Sequence, residues 1–251
     1  LFCFPISFLA FINILYASYF DFFLSSDTYF TTLIVSLIIS ISFFYYGKNS
    51  KKNINFFEQL ILVIFSYLVT SLLIAIPFYL SNYQVTLLNS IFESISGLTG
   101  TGFSIFKNIK YLDPTLILWR SSSQWIGGLF FLIFLILIFS NKSFNYKMTN
   151  ISYSEESSIN SERNIKDNIS KVLIIYSILS IIILTLLNFS GLRLFNSLNM
   201  SMTLISGGGF IPTDSIDKII STNFQKIIFI FSLIVSMLNF YLFFNLFNKN
   251  T

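Results

Sequence analysis

Long apolar stretches alternate with short polar ones along this chain. Six long stretches run near residues 2–20, 29–46, 57–80, 115–139, 172–189 and 226–247. At about 1.5 Å per residue each can cross a hydrocarbon core of about 30 Å, the shorter ones only just. The pattern therefore predicts six transmembrane helices. Two shorter and less apolar stretches, near 85–97 and 194–206, fall short of a span and predict re-entrant or surface helices. The expected fold class is an all-α polytopic membrane protein. Pro77, near one end of the third stretch, is expected to kink it, and Tyr46, Tyr79 and Trp119 read as interfacial anchors.

Composition agrees with this reading and narrows it. Of the 251 residues, 54% are hydrophobic and only 10% charged, against about 25% charged in a soluble domain. That disfavours a soluble enzyme, a disordered chain and a secreted disulfide scaffold. Histidine is absent and Cys3 is the single cysteine, which removes the commonest general base, the commonest metal ligands and any internal disulfide. Cys3 reads as a packing or lipid-facing residue. The first residue is Leu1, so the chain is expected to be a fragment or a processed form. No small-residue cleavage pattern follows the first apolar run, which reads as a span and not as a signal peptide.

The net charge of +4 points to loop lysines beside anionic lipid and not to nucleic acid, since no basic patch is interleaved with aromatics outside the apolar segments. If all six segments span, Lys48, Lys51, Lys52, Lys142, Lys147, Arg163, Lys166, Lys171 and Lys249 share one side, nine of the fifteen basic residues. The positive-inside rule makes that side cytoplasmic, in the plasma (inner) membrane. Residues 140–170, which also carry Glu155, Glu156, Glu162 and Asp167, read as a solvated linker, with a docking surface for a cytoplasmic partner as the alternative.

Glycine placement carries the chemistry. Six of ten glycines lie in two segments, Gly97, Gly100 and Gly102, then Gly207, Gly208 and Gly209. Each segment ends in Gly-Phe, at Gly102-Phe103 and at Gly209-Phe210. Each follows a short amphipathic stretch and lies between two spans. The chain thus holds two copies of one unit: span, short helix, glycine turn, span. Non-helical backbone at membrane depth survives only where protein buries it or where it lines a cavity. Inward carbonyls there replace the hydration shell of a cation, and a helix ending at the turn adds its negative pole. The candidate carbonyl donors are Thr99, Gly100, Thr101 and Gly102, and at equal spacing Ser206, Gly207, Gly208 and Gly209. A phosphate-cradling loop is disfavoured, because no Gly-Lys-Ser/Thr follows either turn. The expected organisation is two N-terminal helices over 1–52, a first span–pore loop–span repeat over 53–141, the cytoplasmic linker over 142–170 and a second repeat over 171–251.

These residues resemble the Trk/Ktr/HKT superfamily of potassium, and in some members sodium, transporters, and most of all its bacterial TrkH branch. The run 92–103, Phe-Glu-Ser-Ile-Ser-Gly-Leu-Thr-Gly-Thr-Gly-Phe, is similar to that family's first pore helix and filter. Trp119-Arg120 with 124–128, Gln-Trp-Ile-Gly-Gly, is similar to the start of the following span, and 206–210, Ser-Gly-Gly-Gly-Phe, with Asp214 after it, to the second filter. The resemblance covers nearly the whole chain, the two extra N-terminal spans included. It implies cation uptake through a pore lined by filter loops, with Gly102 and Gly209 as the glycines critical for potassium selectivity, and a cytoplasmic nucleotide-binding regulatory subunit as a partner. The chain departs from the family in showing two pore repeats where the family has four, in Gly100 where the branch has Thr, and in a second filter unusually rich in glycine.

Further polar residues stand out. Glu93, in the first short stretch, reads as an attractor of cations or a brace for the pore helix. Arg120 reads as its partner, as a partner of Asp113, as a cap for carbonyls, or as an interfacial arginine reaching water. Asp214 and Asp217 read either as concentrators of cations or as turn formers. Asn239, inside the last span, reads as interhelical packing glue. No convergent catalytic pair appears, so an enzyme is not expected. The expected function is uptake of a monovalent cation, potassium with sodium as alternative, with no cofactor in this chain. The partners would be membrane lipids and further pore repeats, from more sequence or a second copy. The alternative is a non-conducting fragment that only associates with other membrane subunits.

Overall fold

A computed structural model describes residues 3–20, 23–48, 56–139 and 158–237. Among them the chain is helical: α1 (Phe4–Tyr19), α2 (Phe23–Gly47), α3 (Phe56–Leu80), α4 (Leu87–Leu98), α5 (Pro114–Phe139), α6 (Ser158–Phe189), α7 (Leu194–Ile205) and α8 (Asn223–Met237). Short 3-10 turns at Ile109–Tyr111 and Ile216–Lys218 precede α5 and α8.

Among the described residues four helices are long and apolar enough to cross a membrane, over Ser26–Gly47, Phe57–Leu80, Pro114–Ile138 and Asp167–Phe189. The six-span expectation meets two shorter helices. Over its 16 residues α1 reaches roughly 24 Å, and α8 is described for 15 residues. Helix α6 begins at Ser158, inside the stretch read as linker. That stretch holds no Gly or Pro between 158 and 170, so nothing local stops a helix there. The rest of the linker, together with Lys51, Lys52, Lys249 and Asn239, lies outside the described residues.

The outer faces are apolar: Phe30, Ile38 and Phe44 on α2, Ile61 and Leu68 on α3 and Ile181 on α6 are all exposed. Such continuous apolar cover suits lipid and not water. In lipid, apolar burial supplies no drive for helix association, which falls to close packing and interhelical hydrogen bonds. Helix α5 provides both. Buried Trp119, read from sequence as an interfacial anchor, donates its indole N–H to the Ile74 carbonyl of α3 at 3.0 Å. Trp125 donates to Ser180 Oγ of α6 at 2.9 Å, and Tyr176 of α6 donates back to the Trp125 carbonyl at 2.9 Å. One core gathers α1, α3 and one side of α5 around Ile6, Ile74, Phe78 and Phe130. A second gathers α6 to α8 and the other side of α5 around Leu129, Ile183 and Met200. The two halves of the chain meet along α5.

Candidate functional site

Helices α4 and α7 occupy 87–98 and 194–205, so their two ends are offset by the same interval that separates Gly102 from Gly209. They match the two short stretches of the sequence pattern. Thr86 caps α4, its side chain accepting the Asn89 N–H, whereas Arg193, at the same place before α7, makes no side-chain cap.

At the C-terminal end the two copies begin alike. The Gly100 N–H reaches the Gly97 carbonyl and the Gly207 N–H the Leu204 carbonyl, both at 3.0 Å. Gly100 and Gly207 sit in the left-handed region, at φ +71° and +67°, where a Cβ is strained and glycine is not. Ser96 then donates its hydroxyl to the Phe103 carbonyl at 2.6 Å, and Thr203 donates to the Phe210 carbonyl at 2.8 Å. Each helix end thus folds back on its turn through one hydroxyl. The copies diverge in the next bond. Gly102 N–H takes the Ser96 carbonyl at 3.3 Å, whereas Gly208 N–H takes the Thr203 carbonyl at 2.8 Å, one residue earlier in the turn. Gly102 is also left-handed, at φ +79°.

The fold brings the two turns together. A Cβ on Gly102 would lie 2.6 Å from the Gly209 Cα, and one on Gly209 would lie 3.3 Å from the Gly102 Cα. The glycines matched by position across the repeat therefore meet backbone to backbone. Thr99, Thr101, Gly207 and Gly209 are exposed, and Gly100, Gly102, Ser206 and Gly208 half-buried. The Thr99 and Thr101 hydroxyls are 2.7 Å apart.

Behind the turns, α5 is polar and fully buried over Arg120, Ser121, Ser122, Ser123 and Gln124. The three serines satisfy themselves on carbonyls one turn back, Ser123 on Arg120 at 2.6 Å. Arg120 and Glu93 form an ion pair, Nε to Oε1 at 2.8 Å, with side chains 1% and 0% exposed. The carboxylate also accepts from Ser104 Oγ at 2.9 Å and from the Ile105 N–H at 2.8 Å. Arg120 Nη2 donates to Ser104 Oγ at 2.9 Å, and the guanidinium lies 4.3 Å from the Phe210 ring centre. Glu93 and Arg120 are thus engaged with each other and with the segments that follow both turns, away from water.

Asp214 stands elsewhere. It accepts the Lys110 N–H at 3.2 Å and the Lys218 ammonium at 2.9 Å, tying the loop before α5 to the loop before α8. The Lys218 hydrogen bond, then the Lys110 N–H, hold its carboxyl below the usual range. Tyr83 closes a second loop contact, donating to the Tyr111 carbonyl at 3.2 Å and accepting the Asp113 N–H at 2.6 Å.

Sequence reasoning missed Ser96, Thr203, Ser104 and, above all, the roles of Gln124, Gly127 and Gly128. Gln124 Oε1 accepts the Phe210 N–H at 3.1 Å, and its amide fills the space where a Cβ on Gly208 would stand. A Cβ on Gly127 would collide with the Leu98 carbonyl at the end of α4, and one on Gly128 would lie 2.9 Å from the Ser206 Cα. Adjacent glycines let α5 touch both turns, one each. The signal was present in the run Arg-Ser-Ser-Ser-Gln followed by Gly-Gly inside an apolar span.

The profile described as TrkH: Cation transport protein matches residues 25–251. An uncharacterized cation transporter of Methanocaldococcus jannaschii is 30% identical over 187 residues, 74% of this chain and 39% of that protein. The Trk system potassium uptake protein TrkH of Escherichia coli K12 is 26% identical over 219 residues, 86% of this chain and 45% of that protein. The crystal structure of the potassium transporter TrkH from Vibrio parahaemolyticus superposes with a TM-score of 0.73 at 21% identity, covering 97% of this chain and 50% of that one, which establishes the common fold. The chain therefore spans less than half the length of these two curated relatives. With the profile matching nearly end to end over a helical membrane fold, the chain belongs to the TrkH family of cation transport proteins, which are transporters and not enzymes.

Proposed function

We propose that this chain supplies two walls of a pore for uptake of a monovalent cation, with potassium as the preferred ion. The observation that carries the reading is the meeting of Gly102 and Gly209, matched across the repeat, at the C-terminal ends of two equal helices. Helix poles and turn carbonyls there make a place for a cation that has shed water. The ion binds to Thr99–Gly102 and Ser206–Gly209 through backbone oxygens alone. Glu93 and Arg120 brace those turns. Asp214 clasps the outer loops instead of holding the ion.

In this proposal α1 and α8 complete six spans, α4 and α7 are re-entrant, and the divisions at 1–52, 53–141, 142–170 and 171–251 separate the N-terminal pair, the two repeats and their linker. The lysine-rich loops face the cytoplasm across the inner membrane. A ring of four walls needs further pore repeats, from more sequence or a second copy. The Escherichia coli relative is a potassium uptake protein, and a nucleotide-binding regulatory subunit on the cytoplasmic side fits the same scheme.

The test is potassium and sodium uptake by the full-length protein that carries this chain, in cells deprived of their own potassium uptake. Gly102→Ser and Gly209→Ser are each expected to lower the potassium-to-sodium ratio. An unchanged ratio in both rejects the filter assignment. Absence of any flux from the parent protein supports the alternative, a non-conducting piece that associates with other membrane subunits.

A further inference from the structure

We infer that Gln124 is a specificity-determining residue for the second glycine turn, acting from the span of the preceding repeat. The inference rests on the pore reading above and names a residue which that reading does not need.

One peptide plane links Gln124 to the turn. The carbonyl of Gly209 and the N–H of Phe210 belong to the same peptide, which is planar and trans, so the two bonds point in opposite directions. Gln124 Oε1 accepts that N–H at 3.1 Å and is itself fully buried. Holding the N–H toward α5 turns the Gly209 carbonyl away from α5. On the far side of the same residue, Thr203 holds the Phe210 carbonyl at 2.8 Å. The Arg120 guanidinium lies 4.3 Å from the Phe210 ring centre. Phe210 is therefore held at its N–H, its carbonyl and its ring, and two of those three holds come from α5.

The two turns are braced by different means. In the first, Glu93 of the turn's own short helix takes Ser104 Oγ and the Ile105 N–H. In the second, Met200 stands at the repeat position of Glu93 and offers no acceptor of that strength. The brace is supplied from the neighbouring repeat, by Gln124. Nor does α8 repeat it, because Phe231 stands at the repeat position of Gln124. The second turn has three consecutive glycines and few conformational restraints of its own. An external hold on its last carbonyl thus has most to do there. Gln124 Nε2 is buried without a hydrogen-bond partner among the described residues, so the amide is retained in an apolar span at a cost that its packing alone does not explain.

The test uses the full-length protein in the same cells. Potassium and sodium uptake are read as a ratio, which is independent of the amount of protein in the membrane. Gln124→Leu cannot accept a hydrogen bond, Gln124→Asn withdraws the acceptor by one methylene, and Gln124→Glu keeps it as a neutral acid, the form that burial favours. Leu and Asn are expected to lower the ratio at least about fivefold, the scale of an orphaned buried N–H, and Glu is expected to restore it. An unchanged ratio in Leu and Asn, while Gly209→Ser shifts it, overturns the role of Gln124 and leaves the filter intact. So does failure of Glu to restore the ratio. Loss of Leu and Asn from the membrane with Glu present reduces Gln124 to a folding role and overturns the inference. An unchanged ratio in both glycine variants removes the filter itself, and the inference with it.

Discussion

Arg120→Met removes the cation from a carboxylate that has no access to water. Glu93 is fully buried and accepts three hydrogen bonds, from Arg120 Nε, Ser104 Oγ and the Ile105 N–H. After the substitution its charge is left with two neutral donors. Breaking a buried ion pair from one side typically costs about 3–5 kcal/mol, because the remaining charge is uncompensated. Loss of the guanidinium beside the Phe210 ring adds about 0.5–2 kcal/mol. Glu93→Gln strands the buried Arg120 cation in its turn and is expected to cost about 3–5 kcal/mol as well. The double variant Glu93→Gln with Arg120→Met removes the stranded charge and is expected to be more stable than Arg120→Met alone. The pair then shows a coupling of about 1–3 kcal/mol. Unfolding of the purified protein in detergent micelles with denaturant, read from the transition midpoints of the four proteins, measures all these terms. Strict additivity, or an Arg120→Met unfolding free energy within about 0.5 kcal/mol of the parent, refutes the claim that this pair holds α4 to α5.

Other expectations follow from the glycines and the outer loops. Gly127→Ala places a methyl on the Leu98 carbonyl, backbone that cannot turn aside. The expected outcome is loss of the folded protein from detergent extracts on size-exclusion chromatography, and a normal elution profile would contradict the close approach. Gly207→Ala meets open space but a φ of +67°, so its cost is conformational, about 1–2 kcal/mol. Gly102→Ala adds a collision with Gly209 to a φ of +79° and is expected to have the lower midpoint in the same denaturant titration. Asp214 has a folded-state pKa depressed by Lys218 and the Lys110 N–H. Its stabilising contribution is present above the unfolded carboxylate value, about 4, and is lost as pH falls through the lower folded value. Hydrogen exchange at the Lys110 amide is therefore expected to be slow at neutral pH and faster in Asp214→Ala, with equal rates in the two proteins counting against the clasp.

The sequence by itself determined the class of the molecule and marked the two glycine turns proposed as its site. Long apolar runs with so little charge leave lipid as the solvent, and lipid requires backbone paired within helices, so the helices could be placed from periodicity and length. The short helices before the glycine turns were also legible, because a stretch too brief to span, repeated once with Gly-Phe at its end, is a local and one-dimensional signal. The tertiary structure decided what touches what. Whether Arg120 reached water, Asp113 or Glu93 depended on the rotation of α5 against α4, which no local pattern encodes. Trp119 read as an interfacial anchor because tryptophan favours interfaces, yet helix packing turned it inward to Ile74. Asp214 followed the second turn in sequence, but its partners are Lys218 four residues on and a backbone N–H from the other repeat. The roles of Gln124, Gly127 and Gly128 were hidden for the same reason: a small or polar residue in an apolar span announces a close approach, and only the folded chain says to which backbone.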